Sequence, residues 1–335
     1  MQIYEEVVTA IKESNSIVIT AHKSPDGDSI GSSLGMYFFI KKLGIDATIC
    51  HPDPIPDFLC FLNGVDKIYN FIDHPEFVKN KMNEADLIFS LDYNAKNRLG
   101  EDMQLLLEQS SSKKIMIDHH LNPEDYPDIR ISETSVCSTC QLVSEVILQS
   151  GNESLLNEQI CTPLYTGILT DTGSFRFPSV QPRTHEIVAK LLAFGVKHSE
   201  IHETLNDNSS LNRLKLQGYT LAEKMEYIEE YKVTIMYLDE VELNRFGYQK
   251  GDTEGLVNIG LSIKGAIASI FLAEKDGKIK MSFRSKGTEN PVNGLASDHF
   301  SGGGHMNAAG GVSDLSMIKT IIKLKELIPS YFKMS

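Results

Sequence analysis

Short apolar runs alternate with longer amphipathic segments along the first half of the chain. The runs are rich in β-branched residues and predict strands, whereas the segments with apolar residues every three or four positions predict helices. The predicted strands cover residues 16–21, 46–50, 86–92 and 114–120, and the predicted helices cover 3–13, 29–43 and 139–149. Strands that alternate with helices in this way predict an α/β fold with a mainly parallel sheet.

The second half of the chain begins with a long helical stretch, at residues 184–230, and continues with a smaller α/β pattern. That pattern consists of a strand at 231–238, a hairpin at 266–285 with Asp276-Gly277 at its turn, and a helix at 315–331. The run FSGGGHMNAAGG, at 300–311, is too rich in glycine for the interior of a helix or strand, and it predicts a loop that approaches an anion closely. We predict an N-terminal domain at 1–190, a helical connector at 191–228 and a C-terminal domain at 229–335.

Side chains that bind metals recur where the apolar runs end. They are His22, Asp26 and Asp28; Asp92; Asp118, His119 and His120; and Asp171, which we place at the end of the apolar run PLYTGILT as at a strand end. The carboxyl ends of parallel strands meet at one edge of a sheet, where ligands bind. A carboxylate-rich site with one or two imidazoles per metal favours Mn²⁺, with Mg²⁺, Co²⁺ or Zn²⁺ as substitutes. His51 and His74 each precede a proline and are predicted to lie in loops rather than to bind metal.

Composition limits the ligands that the protein can bind through a broad surface. The chain has 335 residues, 41% of them hydrophobic, and a formal net charge of −13, which is unfavourable for a basic surface that binds long nucleic acids. A phosphate substrate would therefore have to be held locally, with bound cations. Scattered cysteines and the absence of a leader pattern or a long apolar stretch predict a cytoplasmic protein with no membrane segment. The Cys137 and Cys140 pair is predicted to be buried at a helix start rather than redox-active.

Four segments together resemble the motifs of the DHH phosphoesterase superfamily, in the same order. These segments are HKSPDGDSIGS, LDYNAKNRLG, IDHH and TGILTDTGSFRF, and the later SFRS and SGGGHMNAAGG resemble the DHH-associated C-terminal domain. The resemblance covers about residues 15–315. It implies a DHH domain followed by a substrate-binding domain. Length and spacing are most similar to the bacterial nanoRNase type, which degrades very short oligoribonucleotides and removes the 3′-phosphate of adenosine 3′,5′-bisphosphate (pAp).

The resemblance also implies roles for the strand-end residues. One Mn²⁺ would bind His22, Asp26 and Asp92, and a second would bind Asp28, Asp92, His119 and Asp171. Two such cations, with Mg²⁺ or Co²⁺ as alternatives, activate a shared water for attack on phosphorus. His120 would face the scissile phosphate, and Asp118 would orient a neighbouring histidine. Arg98 would either bind the substrate phosphate or pair with an acidic neighbour.

The second domain is expected to bind another part of the substrate. Arg284 offers a planar fork for a phosphate, and Ser282 or Ser285 offers a hydroxyl. Gly303, Gly304 and His305 would add backbone N–H groups and an imidazole. The expected partners are short RNA oligonucleotides and pAp, without long duplex nucleic acid or a membrane, and a homodimer remains one of the open oligomeric states.

Other activities could use the same metal site. They are hydrolysis of cyclic or linear signalling dinucleotides, pyrophosphatase or exopolyphosphatase activity, digestion of long strands, and nucleotide sensing without catalysis. The complete ligand set argues against a sensor, and the absence of a basic stripe argues against a long-strand exonuclease. The SFRS and GGGH segments favour a nucleotide over pyrophosphate.

Overall fold

The computed structural model describes residues 2–333 and divides into two compact units, which meet in the chain between Asp207 and Asn208. This boundary lies inside the segment 191–228. No helix within the described residues combines the length and the apolarity needed to cross a bilayer.

The first unit consists of a sheet covered by helices. Its strands are β1 (Ile17–Ala21), β2 (Ala47–His51), β3 (Ile68–Asn70), β4 (Leu87–Leu91), β5 (Lys113–Asp118) and β6 (Ile129–Ser132). Its helices are α1 (Gln2–Glu13), α2 (Gly27–Lys42), α3 (Pro75–Glu84), α4 (Glu101–Gln109), α5 (Thr139–Gln149), α6 (Glu158–Asp171), α7 (Pro182–Ala193) and α8 (His198–Asn206). The strand order is β3-β2-β1-β4-β5-β6, and every neighbouring pair is parallel, which confirms the predicted sheet.

Helices α2 and α6 lie unusually close together. A Cβ atom on Gly31 would overlap the Pro163 carbonyl oxygen, and one on Gly35 would come within 2.6 Å of the Leu164 side chain. Gly27, Gly31 and Gly35 are four residues apart, so they share one helix face. This face lets the first turn of α2 approach the last turn of α6.

The prediction that His51 lies in a loop was wrong. His51 is the last residue of β2 and is fully buried, with its Nε2 atom 2.9 Å from Ser33 Oγ. A residue before proline favours extended backbone, and the end of a strand satisfies this preference as well as a loop does. His74 lies directly before α3, where Pro75 occupies the first turn.

The second unit contains α9 (Leu211–Glu223), β7 (Met225–Ile228), β8 (Val233–Leu238), α10 (Glu240–Arg245), α11 (Leu256–Gly260), β9 (Ala268–Lys275), β10 (Lys278–Ser285), α12 (Asn293–His299), β11 (Gly303–His305), β12 (Ala308–Ser313) and α13 (Met317–Tyr331). Its sheet has the order β11-β12-β10-β9-β8-β7, in which only β8 and β9 pair in parallel. The predicted hairpin is confirmed. Asp276 and Gly277 form its two-residue turn, and both have positive φ angles, as a type I′ turn requires.

The glycine-rich run forms a second hairpin, so the prediction of a loop there was wrong. Strand β11 pairs with β12, and β12 pairs with β10. A Cβ atom on Gly302 would overlap the Gly310 carbonyl oxygen, and one on Gly304 would lie 2.5 Å from the Ala308 carbonyl oxygen. The glycines therefore allow the two strands to approach each other closely.

Candidate active site

The carboxyl edge of the first sheet brings the predicted ligands together. The strand order reverses between β1 and β4, where Ala21 lies opposite Leu91. His22 and Asp92 are the next residues of these two strands, and β5 ends beside them at Asp118. A reversal point of this kind opens a crevice at the carboxyl edge of a parallel sheet.

His22 and Asp26 are positioned by the loop that starts α2. Asp26 caps the helix, because its Oδ1 atom accepts hydrogen bonds from the backbone N–H groups of Asp28 and Ser29 at 3.1 and 3.0 Å. His22 Nδ1 donates to the Lys23 carbonyl oxygen at 2.8 Å, since that oxygen can only accept. The Nε2 atom of His22 then faces Asp26 Oδ2 at 3.6 Å and Asp92 Oδ2 at 3.3 Å. This atom is the one that could coordinate a metal.

His119 lies at the centre of a second group. Its Nε2 atom is 3.8 Å from Asp28 Oδ2, 3.6 Å from Asp92 Oδ1 and 3.5 Å from Asp171 Oδ2. Asp92 thus directs one carboxylate oxygen towards His22 and the other towards His119. A single carboxylate links the two groups.

Asp171 is not at a strand end as predicted. It is the last residue of α6, whose apolar residues are buried almost throughout. A short apolar run is compatible with either a buried strand or a buried helix, and here the run continues for the 14 residues of α6, a length typical of a helix. Close packing of α6 against α2 still brings Asp171 to the same site.

Burial and mutual repulsion shift the pKa values of these groups. Burial opposes protonation of His22, but the carboxylates of Asp26 and Asp92 outweigh it and raise the pKa of His22 to about 11. Burial and then the charge of Asp28 raise the pKa of Asp92 well above its usual range. Burial, followed by the charges of Asp28 and Asp26, raises the pKa of Asp171 to about 8. The anionic forms of Asp92 and Asp171 are therefore unfavourable unless positive charge lies nearby.

The donor set fits divalent cations. Three sets of residues each bring one ligand atom per residue within 4.8 Å of the others. The sets are His22, Asp26 and Asp92; Asp28, His119 and Asp171; and Asp92, His119 and His120. Carboxylate oxygens and imidazole nitrogens suit Mn²⁺ and related cations, and their positive charge would offset the repulsion among the acids.

The start of α5 contributes contacts that were not predicted. The backbone N–H groups of Thr139 and Cys140 donate to the Asp28 carboxylate at 2.6 and 2.8 Å, and the Thr139 hydroxyl donates to Asp92 Oδ1 at 3.0 Å. Ser138 is the N-cap of this helix, a signal that is visible in the sequence. Cys137 and Cys140 are buried free thiols at the helix start, as predicted.

His120 lies beside Asp92, with its Nδ1 atom 3.8 Å from Asp92 Oδ1, and the backbone of Arg98 adjoins the His22 loop. Asp118 Oδ1 is 2.8 Å from His120 Nδ1, and Asp118 Oδ2 accepts from the His120 backbone N–H at 2.9 Å. The Arg98 carbonyl accepts from the backbone N–H of Lys23 at 2.8 Å, which connects its segment to the His22 loop. Within residues 2–333 the Arg98 guanidinium forms no ion pair with an acidic side chain.

In the second unit, strand register divides the predicted substrate residues between two faces of the sheet. Arg284 lies opposite Ala308, which lies opposite His305, and Ser282 and Gly303 both lie opposite Gly310. Ser282, Arg284, Gly303 and His305 therefore share one face. Ser285 and Gly304 belong to the other face, where Ser285 is buried and its hydroxyl accepts from Asn307 Nδ2 at 2.8 Å. Arg284 is half-buried, and burial lowers its pKa.

Known proteins share both units. The DHH family N-terminal domain matches residues 16–168, and the DHHA1 domain matches residues 230–328. The bifunctional oligoribonuclease and PAP phosphatase NrnA of Thermus thermophilus is 31% identical, over 92% of this chain and 87% of its own length. The Bacillus subtilis protein of that name is 28% identical, over 91% of each chain.

A solved structure has the same fold. The exopolyphosphatase-related protein from Bacteroides fragilis is 37% identical to this chain and covers 98% of it, with 96% of its own chain matched and a TM-score of 0.95. These matches confirm the resemblance seen in the motifs. The chain belongs to the DHH family, with an N-terminal DHH domain and a C-terminal DHHA1 domain.

Proposed function

We propose that this protein is a metal-dependent phosphoesterase that hydrolyses oligoribonucleotides of about two to five nucleotides to mononucleotides and removes the 3′-phosphate of pAp. The single carboxylate of Asp92, which faces His22 with one oxygen and His119 with the other, carries the proposal. Such an arrangement suits a pair of cations acting on one phosphate. The names of the Thermus and Bacillus relatives support the substrate assignment.

We assign one cation to His22, Asp26 and Asp92 and a second to Asp28, Asp92, His119 and Asp171. Mn²⁺ is the proposed metal, with Mg²⁺ or Co²⁺ as substitutes, because the donors are carboxylate oxygens with one imidazole in each set. When bound, such a pair supplies an acidified water and charge stabilisation for in-line displacement at phosphorus. The other catalytic roles are assigned to side chains around the cation pair.

His120 and Arg98 are assigned to the substrate phosphate. Asp118 fixes the Nδ1 side of His120, so the ring is oriented for Nε2 to donate to the phosphate or to the leaving oxygen. The Arg98 guanidinium would bind a phosphate oxygen, which its lack of an acidic partner among the described residues supports. The catalytic set is thus Asp92, His120 and Arg98.

The DHHA1 domain would bind a phosphate other than the one hydrolysed. Arg284 and Ser282 share a sheet face with Gly303 and His305, and a half-buried guanidinium binds a phosphate through its fork of donors.

The cysteines of the described residues are free thiols, which supports a reducing compartment such as the cytoplasm.

The first test is a Mn²⁺-dependent hydrolysis panel at matched substrate concentration. Its substrates are pAp, a 5′-phosphorylated diribonucleotide, a 24-nucleotide RNA, cyclic di-AMP, pyrophosphate and polyphosphate. We expect turnover of pAp and the diribonucleotide to exceed that of the others by at least about tenfold, because these two substrates match the activities named for the Thermus and Bacillus relatives. Preference for polyphosphate or the cyclic dinucleotide would contradict the proposed substrates and leave the metal assignment standing.

The metal assignment has its own test. Asp92→Ala should reduce turnover by about a thousandfold or more, because removing the shared carboxylate disrupts both sites. Asp102→Ala is the matched control, since Asp102 is exposed in the first turn of α4. Activity near that of the wild type in Asp92→Ala, with Mn²⁺ in excess and circular dichroism unchanged, would overturn the assignment.

A further inference from the structure

Strand β10 carries a row of polar and basic side chains on the same face as Arg284. Lys278, Lys280, Ser282 and Arg284 alternate along the strand with residues of the buried face, and both lysines are exposed. Side chains two residues apart point to the same side of a sheet. The basic row therefore continues the face assigned to the substrate phosphate.

The strands on one side of β10, β12 and β11, leave this face open. On that side Gly310 lies opposite both Ser282 and Gly303, whereas on the other side the buried Phe271 of β9 lies opposite Ser282. Gly303 and Gly310 are exposed. On the side of β12 and β11, no bulky side chain at this level would keep an extended ligand away from β10.

The charges on this face favour an anion. Within the described residues Lys280 forms no ion pair, whereas Lys278 is 3.1 Å from Asp314, with both side chains largely exposed. Lys280 and Arg284 thus offer positive charge on one face of a protein whose net charge is −13. The chemistry that matches such a row is a linear chain of phosphates.

We propose that Lys280 binds a backbone phosphate of an oligoribonucleotide that extends beyond the phosphate bound by Arg284. The two residues are four positions apart, which corresponds to about 13 Å along a strand, a distance that further nucleotides of a single strand can span. The inference rests on the proposed function, because it presumes that RNA fragments are substrates. It makes Lys280 a determinant of preference for fragment length.

The test compares KM across substrate length for the full-length protein with Mn²⁺. The substrates are pAp and 5′-phosphorylated oligoribonucleotides of two, three, four and five nucleotides. Lys280→Ala should raise KM several-fold for three or more nucleotides and leave pAp and the dinucleotide unchanged. The salt dependence of KM for the longer fragments should weaken by about 0.7 in logarithmic slope, the value for one lost phosphate contact with a single strand.

Two further variants separate a local contact from a general charge effect. Lys280→Arg should retain most of the affinity for longer fragments. Lys319→Ala removes the same charge from an exposed position of α13, the helix that packs against the other face of the sheet, and should have no length-dependent effect. Equal changes for all substrates, or none, would overturn the role of Lys280. A wild-type protein that cleaves no oligoribonucleotide would instead overturn the proposed function itself.

Discussion

Asp92 lies between His22 and His119 and has an unfavourable backbone conformation. Its φ angle of 62° lies in the left-handed region, which costs a residue with a Cβ atom about 1–2 kcal/mol. Its backbone N–H donates to the Ile117 carbonyl at 3.1 Å. The next residue, Tyr93, is fully buried, with its hydroxyl 2.7 Å from both Thr20 Oγ1 and Ser90 Oγ. These contacts hold the backbone so that the carboxylate faces both histidines.

Thr139 is expected to position Asp92 through its hydroxyl. Thr139→Val removes the donor to Asp92 Oδ1 and keeps the shape of the side chain, so kcat/KM on a diribonucleotide should fall by about 10–100-fold. The apparent Mn²⁺ affinity should fall with it, because the Asp92 carboxylate, which we propose as a ligand of both cations, becomes less well oriented.

Thr139→Ser keeps the hydroxyl and should restore most of the activity and the Mn²⁺ affinity. Equal losses in the serine and valine variants would show that packing at this position matters rather than the hydrogen bond. Thermal unfolding of each variant distinguishes loss of activity from loss of the fold.

At the residue scale, the sequence predicts the site residues that follow strands. It does not predict Thr139, which follows no strand. His22, Asp92 and His119 each come after an apolar run, and parallel strands bring such positions to one edge. Thr139 reaches the site because α5 begins there, and its N–H group contacts a residue 111 positions earlier. Local pattern predicts a helix start but not the carboxylate that it meets.

At the scale of elements, the contact between α2 and α6 determines the distance between their terminal acids. Asp28 lies in the first turn of α2, and Asp171 is the last residue of α6. A Cβ atom on Gly167 of α6 would overlap Cys140 Sγ, so α5 also packs into this contact. Because glycines at these contacts leave no room for a side chain, the three helices pack closely and fix the positions of Asp28 and Asp171.

Gly31→Ala should destabilise the protein and disturb this group. The added methyl would overlap the Pro163 carbonyl oxygen, and such overpacking costs about 1–3 kcal/mol of the free energy of unfolding. Gly218→Ala is the matched control, because Gly218 lies inside α9 with no atom within 4 Å of an added Cβ. That change should stabilise by up to about 1 kcal/mol, since alanine favours a helix.

Urea denaturation of both variants measures the two free energies of unfolding. A Gly31→Ala protein as stable as the wild type, with unchanged Mn²⁺ affinity, would mean that α2 and α6 can separate at no cost.

Two elements could not be predicted from local pattern. The run that ends at Asp171 is apolar enough for a strand or a helix, and its continuation over the 14 residues of α6, which is typical of a helix, is seen only in the structure. The run around Gly304 appeared unsuited to a strand because glycine weakens isolated strands. Its close approach to β12 compensates for that weakness, and such approach is a tertiary property.

At the scale of the whole molecule, a net charge of −13 is combined with buried acids at one site. The raised pKa values of Asp92 and Asp171 mean that the metal-free fold binds protons more tightly than the unfolded chain does. Stability of the metal-free protein should therefore fall as pH rises from about 4 towards 8. In this interval Asp171 retains its proton in the folded chain but loses it in the unfolded chain. A bound dication would offset this loss of stability.

Stabilisation by Mn²⁺ should accordingly increase between pH 6 and pH 8. The cation must displace the proton of Asp171, whose pKa is raised to about 8, and this displacement becomes easier as the proton concentration falls. Thermal unfolding with EDTA and with a fixed Mn²⁺ concentration, at pH 6, 7 and 8, measures the difference. Asp171→Asn should reduce the pH dependence, and a Mn²⁺ effect independent of pH would contradict the assignment of this acid as a ligand.

The position of β1 at the middle of the sheet governs when the site can form during synthesis. Strand β1 pairs with β2 and with β4, and Ile17 lies opposite Leu87, which the ribosome adds 70 residues later. Until β4 emerges, the apolar β1 strand has an unpaired edge, which favours association with other chains. A fragment that stops before Leu87 would thus carry the whole His22 to Asp28 loop and still lack both the partner strand and Asp92. Under the proposed ligand assignment, neither cation site can be completed before β4 and Asp92 have been synthesised.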